Sequence, residues 1–359
     1  MKFDREAPGE GAEAICKLEN GKAVLEWRFY FVEETEGGSE GMSGRNDRRG
    51  GESSWLIRIM LTDMQGNMVL EGIQPLHEEE PLRSVLVQPH LWSGARDPYL
   101  YRLEAVLTDG SGRCLDHISR PLPLRSFSCA GEAERFFLNG EAFERRAVVY
   151  DPPCASSEAE RVLRIQEDLR RIRRLGANCV LAEGGDGPGR SFLYLCDRMG
   201  LLFFCREKRK AGYADFADGK TRYAGFAGEA AGIRISPGER APVFRGEKDC
   251  LFVKGSDLPT SLFYRYLAKW SREPFVYIEP QSVRRMKSGN YAVRCYSNCE
   301  RIALYSDGTL FEFQRGEEEF AFSEVPARTP CIMLTAEGDG CSASLSLSKT
   351  VCPFREWQE

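Results

Sequence analysis

Apolar and polar residues alternate along most of this chain, and the alternation breaks in the middle. Trp27, Phe29 and Phe31 fall on one face of an extended Ala23–Val32 segment. That is the period-two pattern of a half-buried strand. Trp55, Ile57, Ile59 and Leu61 repeat it, Asp63–Asn67 reads as a turn, and Met68–Glu71 pairs back. Tyr99, Tyr101, Leu103, Ala105 and Leu107 form the clearest strand, followed by a turn at Asp109–Gly112 and a return over Arg113–Ser119. Short alternating strands with turn signals between them predict an antiparallel sandwich. Between the first two strands, Glu33–Ser53 is rich in Gly, Ser and charge. It buries too little apolar surface to order itself and reads as a long mobile loop.

The period then changes. Phe136–Glu141 reads as a hairpin with Asn139-Gly140 at its turn, the strongest short-range hairpin signal. Arg146–Tyr150 reads as a buried strand. Ser156 or Ser157 can cap a helix over Glu158–Leu175, on which Val162, Ile165, Leu169 and Ile172 share a face. Its many arginines lie among Glu158, Glu160, Glu167 and Asp168, which points to a salt-bridged solvated face rather than a nucleic-acid patch. Gly176 ends the helix. Asn178–Glu183, Arg190–Met199 and Leu201–Cys205 continue as strand, helix and strand, the rhythm of a parallel α/β unit. The pattern fades over Arg206–Gly255, leaving short pieces at Gly232–Ile235 and Cys250–Val253. A helix over Ser261–Trp270 follows. Alternation then resumes at Phe275–Glu279, Ala292–Ser297, Arg301–Tyr305, Leu310–Gln314, Phe320–Ser323, Cys331–Ala336 and Ser342–Thr350, a second sandwich of roughly 90 residues.

Composition narrows the function classes. The 359 residues carry 49 Lys and Arg against 54 Asp and Glu, a net charge of −5, so there is no overall basic footprint for nucleic acid. No apolar run approaches the ~20 residues of a membrane span. Three histidines leave little for a histidine metal site. The 13 cysteines are scattered, and no apolar leader is visible at the N-terminus. The expectation is free thiols in a reducing cytoplasm. Cys295 and Cys299 have a C-x3-C spacing, with Cys331 and Cys341 as distant candidates. Without a clear second pair they read as small buried hydrophobes rather than a zinc site.

Several strings point to one family. Pro89-His90-Leu91-Trp92-Ser93 followed by Pro98-Tyr99-Leu100-Tyr101 resembles the P-x-L-W-S…P-x-L-Y strand of family 2 glycoside hydrolases. Phe137-Leu138-Asn139-Gly140-Glu141 resembles that family's F-x-L-N-G-K entry to its catalytic barrel. Asp168-Leu169 through Leu175-Gly176-Ala177-Asn178 resembles its D-(L/I)-x-x-(M/L)-K-x-x-G-x-N helix and strand. Phe192 to Leu202 resembles its F-x-x-L-C-D-x-x-G-(L/I)-x string. Tyr264-Arg265-Tyr266 to Trp270, then Pro274, resembles the segment leaving the barrel. Cys295-Tyr296-Ser297-Asn298-Cys299-Glu300 resembles a string of the following domain. The strings occur in family order. The resemblance implies a mainly β, multidomain α+β chain with two immunoglobulin-like sandwiches, 1–126 and 256–359, flanking a truncated (β/α) barrel remnant at 127–255.

The departures decide the expected activity. Such barrels take ~250 residues, whereas about 120 separate the Phe136–Glu141 hairpin from the exit helix. The family's acid/base glutamate follows an asparagine, and this chain contains no Asn-Glu dipeptide. Glycoside hydrolysis needs two carboxylates flanking the acetal. No catalytic residue is therefore assigned, and no metal or cofactor. The expected role is a non-catalytic module with a carbohydrate or protein partner, without nucleic acid or membrane, and a homodimer is one way to cover open barrel edges. The alternative is an active glycosidase with a rebuilt or inter-chain site. Asp151, Glu183 and Asp186 are the candidate ligand-binding residues, since they follow the first two barrel-like strands. Gly184–Gly189 could cradle an anion, but Pro188 removes a donor and Asp186 repels phosphate. Trp92, Tyr99, Tyr101, Tyr264 and Trp270 are read as domain packing, with a sugar platform as the alternative.

Overall fold

The structure is a computed structural model that describes residues 1–5, 8–32, 55–75, 82–130, 135–183, 190–206, 241–326, 328–329 and 331–348. Three of the predicted segments, 33–53, 184–189 and 232–235, lie outside these residues. In chain order the first strands are β1 (Lys2–Phe3), β2 (Ala12–Glu19), β3 (Lys22–Phe29), β4 (Phe31–Val32), β5 (Leu56–Thr62), β6 (Met68–Pro75), β7 (Leu82–Val87), β8 (Tyr101–Thr108), β9 (Cys114–Leu122), β10 (Phe127–Ala130), β11 (Arg135–Leu138) and β12 (Glu141–Phe143). The middle holds β13 (Ala147–Val149), α1 (Glu158–Arg174), β14 (Cys179–Glu183), α2 (Arg190–Met199), β15 (Leu202–Arg206), β16 (Val243–Gly246), β17 (Cys250–Val253) and α3 (Ser261–Trp270). Then come β18 (Val276–Ile278), β19 (Arg284–Arg285), β20 (Tyr291–Ser297), β21 (Arg301–Ser306), β22 (Thr309–Arg315), β23 (Glu318–Val325), β24 (Cys331–Gly338) and β25 (Cys341–Ser348). The described residues are mainly strand, with three α-helices.

The chain forms two compact units. One comprises Met1–Arg145, Pro152–Leu169 and Asn178–Glu239; the other comprises Arg146–Asp151, Arg170–Ala177 and Arg240–Glu359. In the first unit, antiparallel sheets β2-β3-β7 and β6-β5-β8-β9 contribute to one hydrophobic core. Alternation places Ala23, Leu25 and Trp27 of β3 and Ile57, Ile59 and Leu61 of β5 in it, with Leu103, Ala105 and Leu107 of β8. The expected Ala23–Val32 strand is broken at Tyr30. The Tyr30 N–H donates to the Gly11 carbonyl, and the Tyr30 carbonyl accepts from the Asp4 N–H. The chain thereby leaves β2, and β4 takes β1 as its partner. Pro75 and Pro121 sit in β6 and β9, the two edges of their sheet. An edge strand tolerates a residue without an N–H.

The β11–β12 hairpin turns at Asn139 and Gly140, with φ of 55° and 81°. Positive φ at both central positions is the type I′ geometry that matches strand twist. At the start of α1 the Glu160 N–H donates to Ser157 Oγ at 3.2 Å, so Ser157 is the cap. Arg161 pairs with Glu158 and Arg164 with Glu160 along the helix. Also in the first unit, β14 and β15 pair in parallel, and Phe192 of α2 meets Phe203 edge-on.

In the second unit, β13, β16 and β17 form a parallel run. The sequence pattern does not mark β16, which is four residues long. Phe244 on β16 lies between Tyr150 and Phe252. Strands β18, β19 and β23 all pair with β20, and β22-β21-β24-β25 form a second antiparallel sheet. The two sheets share a core that includes Ile278, Val293, Cys295, Leu304, Phe320 and Leu334.

Candidate functional site

The three candidate carboxylates are placed differently. Asp151 is exposed two residues beyond the end of β13, past buried Tyr150, in the second unit. Glu183 ends β14 in the first unit, opposite Arg206 in the ladder. Asp186 lies outside the described residues. Among the described residues, no group of three or more His, Cys, Asp or Glu side chains is arranged to hold a metal ion.

The first unit's best-built polar constellation surrounds Trp92. The indole is fully buried, and its Nε1 donates to the Asp197 carbonyl at 2.7 Å. The Arg125 guanidinium lies 4.3 Å from the centre of the Trp92 ring and donates to the Asp197 carboxylate at 2.6 Å. Arg125 is 7% exposed and Asp197 22%, so this cation–π and ion-pair stack is held largely away from water. The Asn139 amide, set by the β11–β12 turn, donates to the Trp92 carbonyl and accepts from the Ser126 N–H. Gly200, with φ of +72°, brings the end of α2 against the backbone of Gly94 and Ala95. A Cβ there would lie 2.4 Å from backbone atoms. Cys196, beside Asp197, has its thiol pushed well up by burial.

Tyr99 and Tyr101 flank this region. The Tyr99 ring stacks on His90 at 3.8 Å, His90 Nε2 is 2.6 Å from Asp97, and the Tyr101 hydroxyl accepts the His90 N–H. The second unit spends its string residues in the same way. Arg146 donates to the Trp270 carbonyl, and Gly176, with φ of +92°, abuts that carbonyl so closely that a Cβ would meet it at 2.6 Å. Tyr264 of α3 stacks on Tyr277 of β18 at 3.4 Å, and burial raises the pKa of both phenols. Asn298 accepts the Phe275 N–H and donates to the carbonyls of Ser271 and Glu273, which fixes the link from α3 to β18. A sugar platform needs free ring faces. Trp92 and Trp270 are buried, and Tyr99 and Tyr264 each have a ring stacked on them.

Comparison with known proteins gives the relationship. No family model matches. A curated β-glucuronidase of Bacteroides fragilis is 28% identical over 153 residues, which are 42% of this chain and 21% of that protein. This chain thus aligns with about a fifth of the curated relative's length. An FMN-binding β-glucuronidase from Faecalibacterium prausnitzii L2-6 superposes with a TM-score of 0.68 at 14% identity, over 97% of this chain and 75% of that one. A putative β-galactosidase from Bacteroides fragilis gives 0.62 at 13% identity, over 96% and 74%. A glycosyl hydrolase family 2 member from Bacteroides cellulosilyticus gives 0.60 at 13% identity, over 97% and 63%.

The fold is that of family 2 glycoside hydrolases. Within this family 2-like chain, Arg125 is the structural residue that sequence reading did not single out. Its signal is a lone arginine in the otherwise apolar Leu122-Pro123-Leu124-Arg125 run, next to an asparagine-gated hairpin. A single charge inside a core-like run calls for a buried partner, here Asp197.

Proposed function

We propose that this chain is a non-hydrolytic relative of family 2 glycoside hydrolases, a cytoplasmic module that binds a carbohydrate or protein partner. Its immunoglobulin-like parts, 1–126 and 256–359, flank a shortened barrel segment at 127–255. The observation that carries this reading is that the 359 residues contain no Asn-Glu dipeptide, the pair that supplies the acid/base glutamate in the family it resembles. Without two facing carboxylates there is no group to protonate the leaving oxygen and none to attack the anomeric carbon. The string residues Trp92, Asn139, Asp197, Trp270 and Asn298 support it, because each is engaged in internal packing or hydrogen bonds.

The test is hydrolysis of a panel of fluorogenic α- and β-glycosides, galactosides and glucuronides included, by the purified protein. Release at the buffer rate is the expected result. Turnover above buffer that disappears in Asp151→Ala, Glu183→Ala or Asp186→Ala would establish a rebuilt glycosidase site and overturn the proposal.

A further inference from the structure

The second unit holds two thiols in contact. Cys299 Sγ lies 3.6 Å from Cys341 Sγ, although the residues are 42 apart in the chain. Cys299 sits in the turn between β20 and β21 and is buried. Cys341 opens β25 opposite Gly338, at the hairpin that joins β24 to β25. Two features hold this approach. The Cys299 N–H donates to Ser297 Oγ at 2.9 Å, and Ser297 Oγ donates to the Phe275 carbonyl at 2.7 Å, so the turn carrying the thiol is anchored. At Gly338, an added Cβ would stand 2.7 Å from Cys299 Sγ and 3.1 Å from its Cβ. The glycine leaves the space that the thiol occupies.

We propose that Cys299 and Cys341 are a disulfide-forming pair, oxidised by exchange with a low-molecular-weight disulfide, that staples the β20–β21 turn to the β24–β25 hairpin. A disulfide is about 2.05 Å long, so the sulfurs must close by about 1.5 Å. In the reaction, the Cys341 thiolate attacks one sulfur of oxidised glutathione, forming a mixed disulfide and expelling a glutathione thiolate. The Cys299 thiolate then attacks the Cys341 sulfur and expels the second. The two protein thiols are oxidised, one glutathione disulfide is reduced to two glutathiones, and the two thiol protons end on them. Burial and the hydrogen bond with Cys299 push the Cys341 thiol up to about 11. Exchange is therefore slow at neutral pH and accelerates about tenfold per pH unit in the alkaline range below that value.

The test uses the intact protein and oxidised glutathione at pH 8 and pH 9. Free thiols are then alkylated and peptides mapped by mass spectrometry without reductant. Oxidant is raised until exposed Cys114 and Cys331 carry glutathione. The expected product is a cross-linked peptide pair containing Cys299 and Cys341, two hydrogens lighter than the thiols, formed about tenfold faster at pH 9 and reversed by dithiothreitol. The oxidised protein melts at a higher temperature than the reduced one, and Cys341→Ser loses both the cross-link and the shift. The proposal fails if Cys299 and Cys341 stay alkylatable, or carry only separate adducts, once Cys114 and Cys331 are modified.

Discussion

The two compact units anchor their connecting segments with different chemistry. In the first, a buried charge pair does it: Arg125 lies over Trp92 and bonds Asp197. In the second, hydrogen bonds to backbone carbonyls and amides do it: the Asn298 amide takes three backbone partners, Arg146 donates to the Trp270 carbonyl, and Gly176 lets the end of α1 touch that carbonyl. A buried ion pair is costly to break from one side, because the surviving charge is left without its counter-ion. An amide clamp distributes its loss over several ordinary hydrogen bonds. The first unit should thus respond to single substitutions more sharply than the second.

The largest effect is expected at the indole. Trp92→Ala removes a fully buried aromatic and the floor under Arg125, and should cost about 3–5 kcal/mol in denaturant melts. A loss near zero would place the ring at the surface. Gly200→Ala comes next, at roughly 2–4 kcal/mol, combining positive φ with a Cβ driven into the Gly94–Ala95 backbone. Gly21→Ala is the control, with φ of +76° but open space around it. It should cost about 1 kcal/mol from conformation alone. Equal losses at the two glycines would mean that the close approach does not matter. Asn298→Ala, in the second unit, should cost about 2 kcal/mol. A loss exceeding that of Trp92→Ala would reverse the contrast between the units.

The smallest effect is a pH dependence in the first unit. Burial holds the Glu13 carboxyl above its ordinary value of 4.5, although the Tyr30 hydroxyl donates to it. A raised carboxyl favours the neutral form in the fold. The stability this gives is full below pH 4.5 and is lost as the pH rises through the folded value. Glu13→Gln should flatten that decline in urea melts at pH 4 and pH 7. The same slope in both proteins would show that Glu13 contributes nothing to it.

Much of this architecture was legible in the sequence, for reasons that individual elements make plain. Ser261–Trp270 is a helix over the whole expected range, and β5 and β8 alternate as read. Strand β2 escaped because its inward face is Ala12, Ala14, Cys16 and Leu18, mostly small side chains. Buried Ile15, on its other face, blurs the period further. Strand β16 escaped because it is only four residues long. One parallel partner, β13, is remote in sequence, and only three residues separate β16 from the other, β17, with no separate turn and return for a local pattern to reveal. The break at Tyr30 depends on backbone partners at Gly11 and Asp4 that no local pattern reveals. The candidate site was less legible. Asp151 lies two residues beyond β13 and Glu183 is the last residue of β14, positions that the local strand pattern brackets, whereas the Arg125–Asp197 pair joins positions 72 apart that carry no mutual signal in a single sequence.

The prolines of β6 and β9 have a consequence for behaviour at high concentration. An unguarded sheet edge is a template on which another chain can dock its own strand, the first step toward fibrils. Pro75 and Pro121 remove an amide donor at each border of the β6-β5-β8-β9 sheet. A strand arriving there from a neighbouring molecule meets a missing rung in the ladder. The same residues that the fold tolerates because they lie at the margin thereby guard that margin against polymerisation.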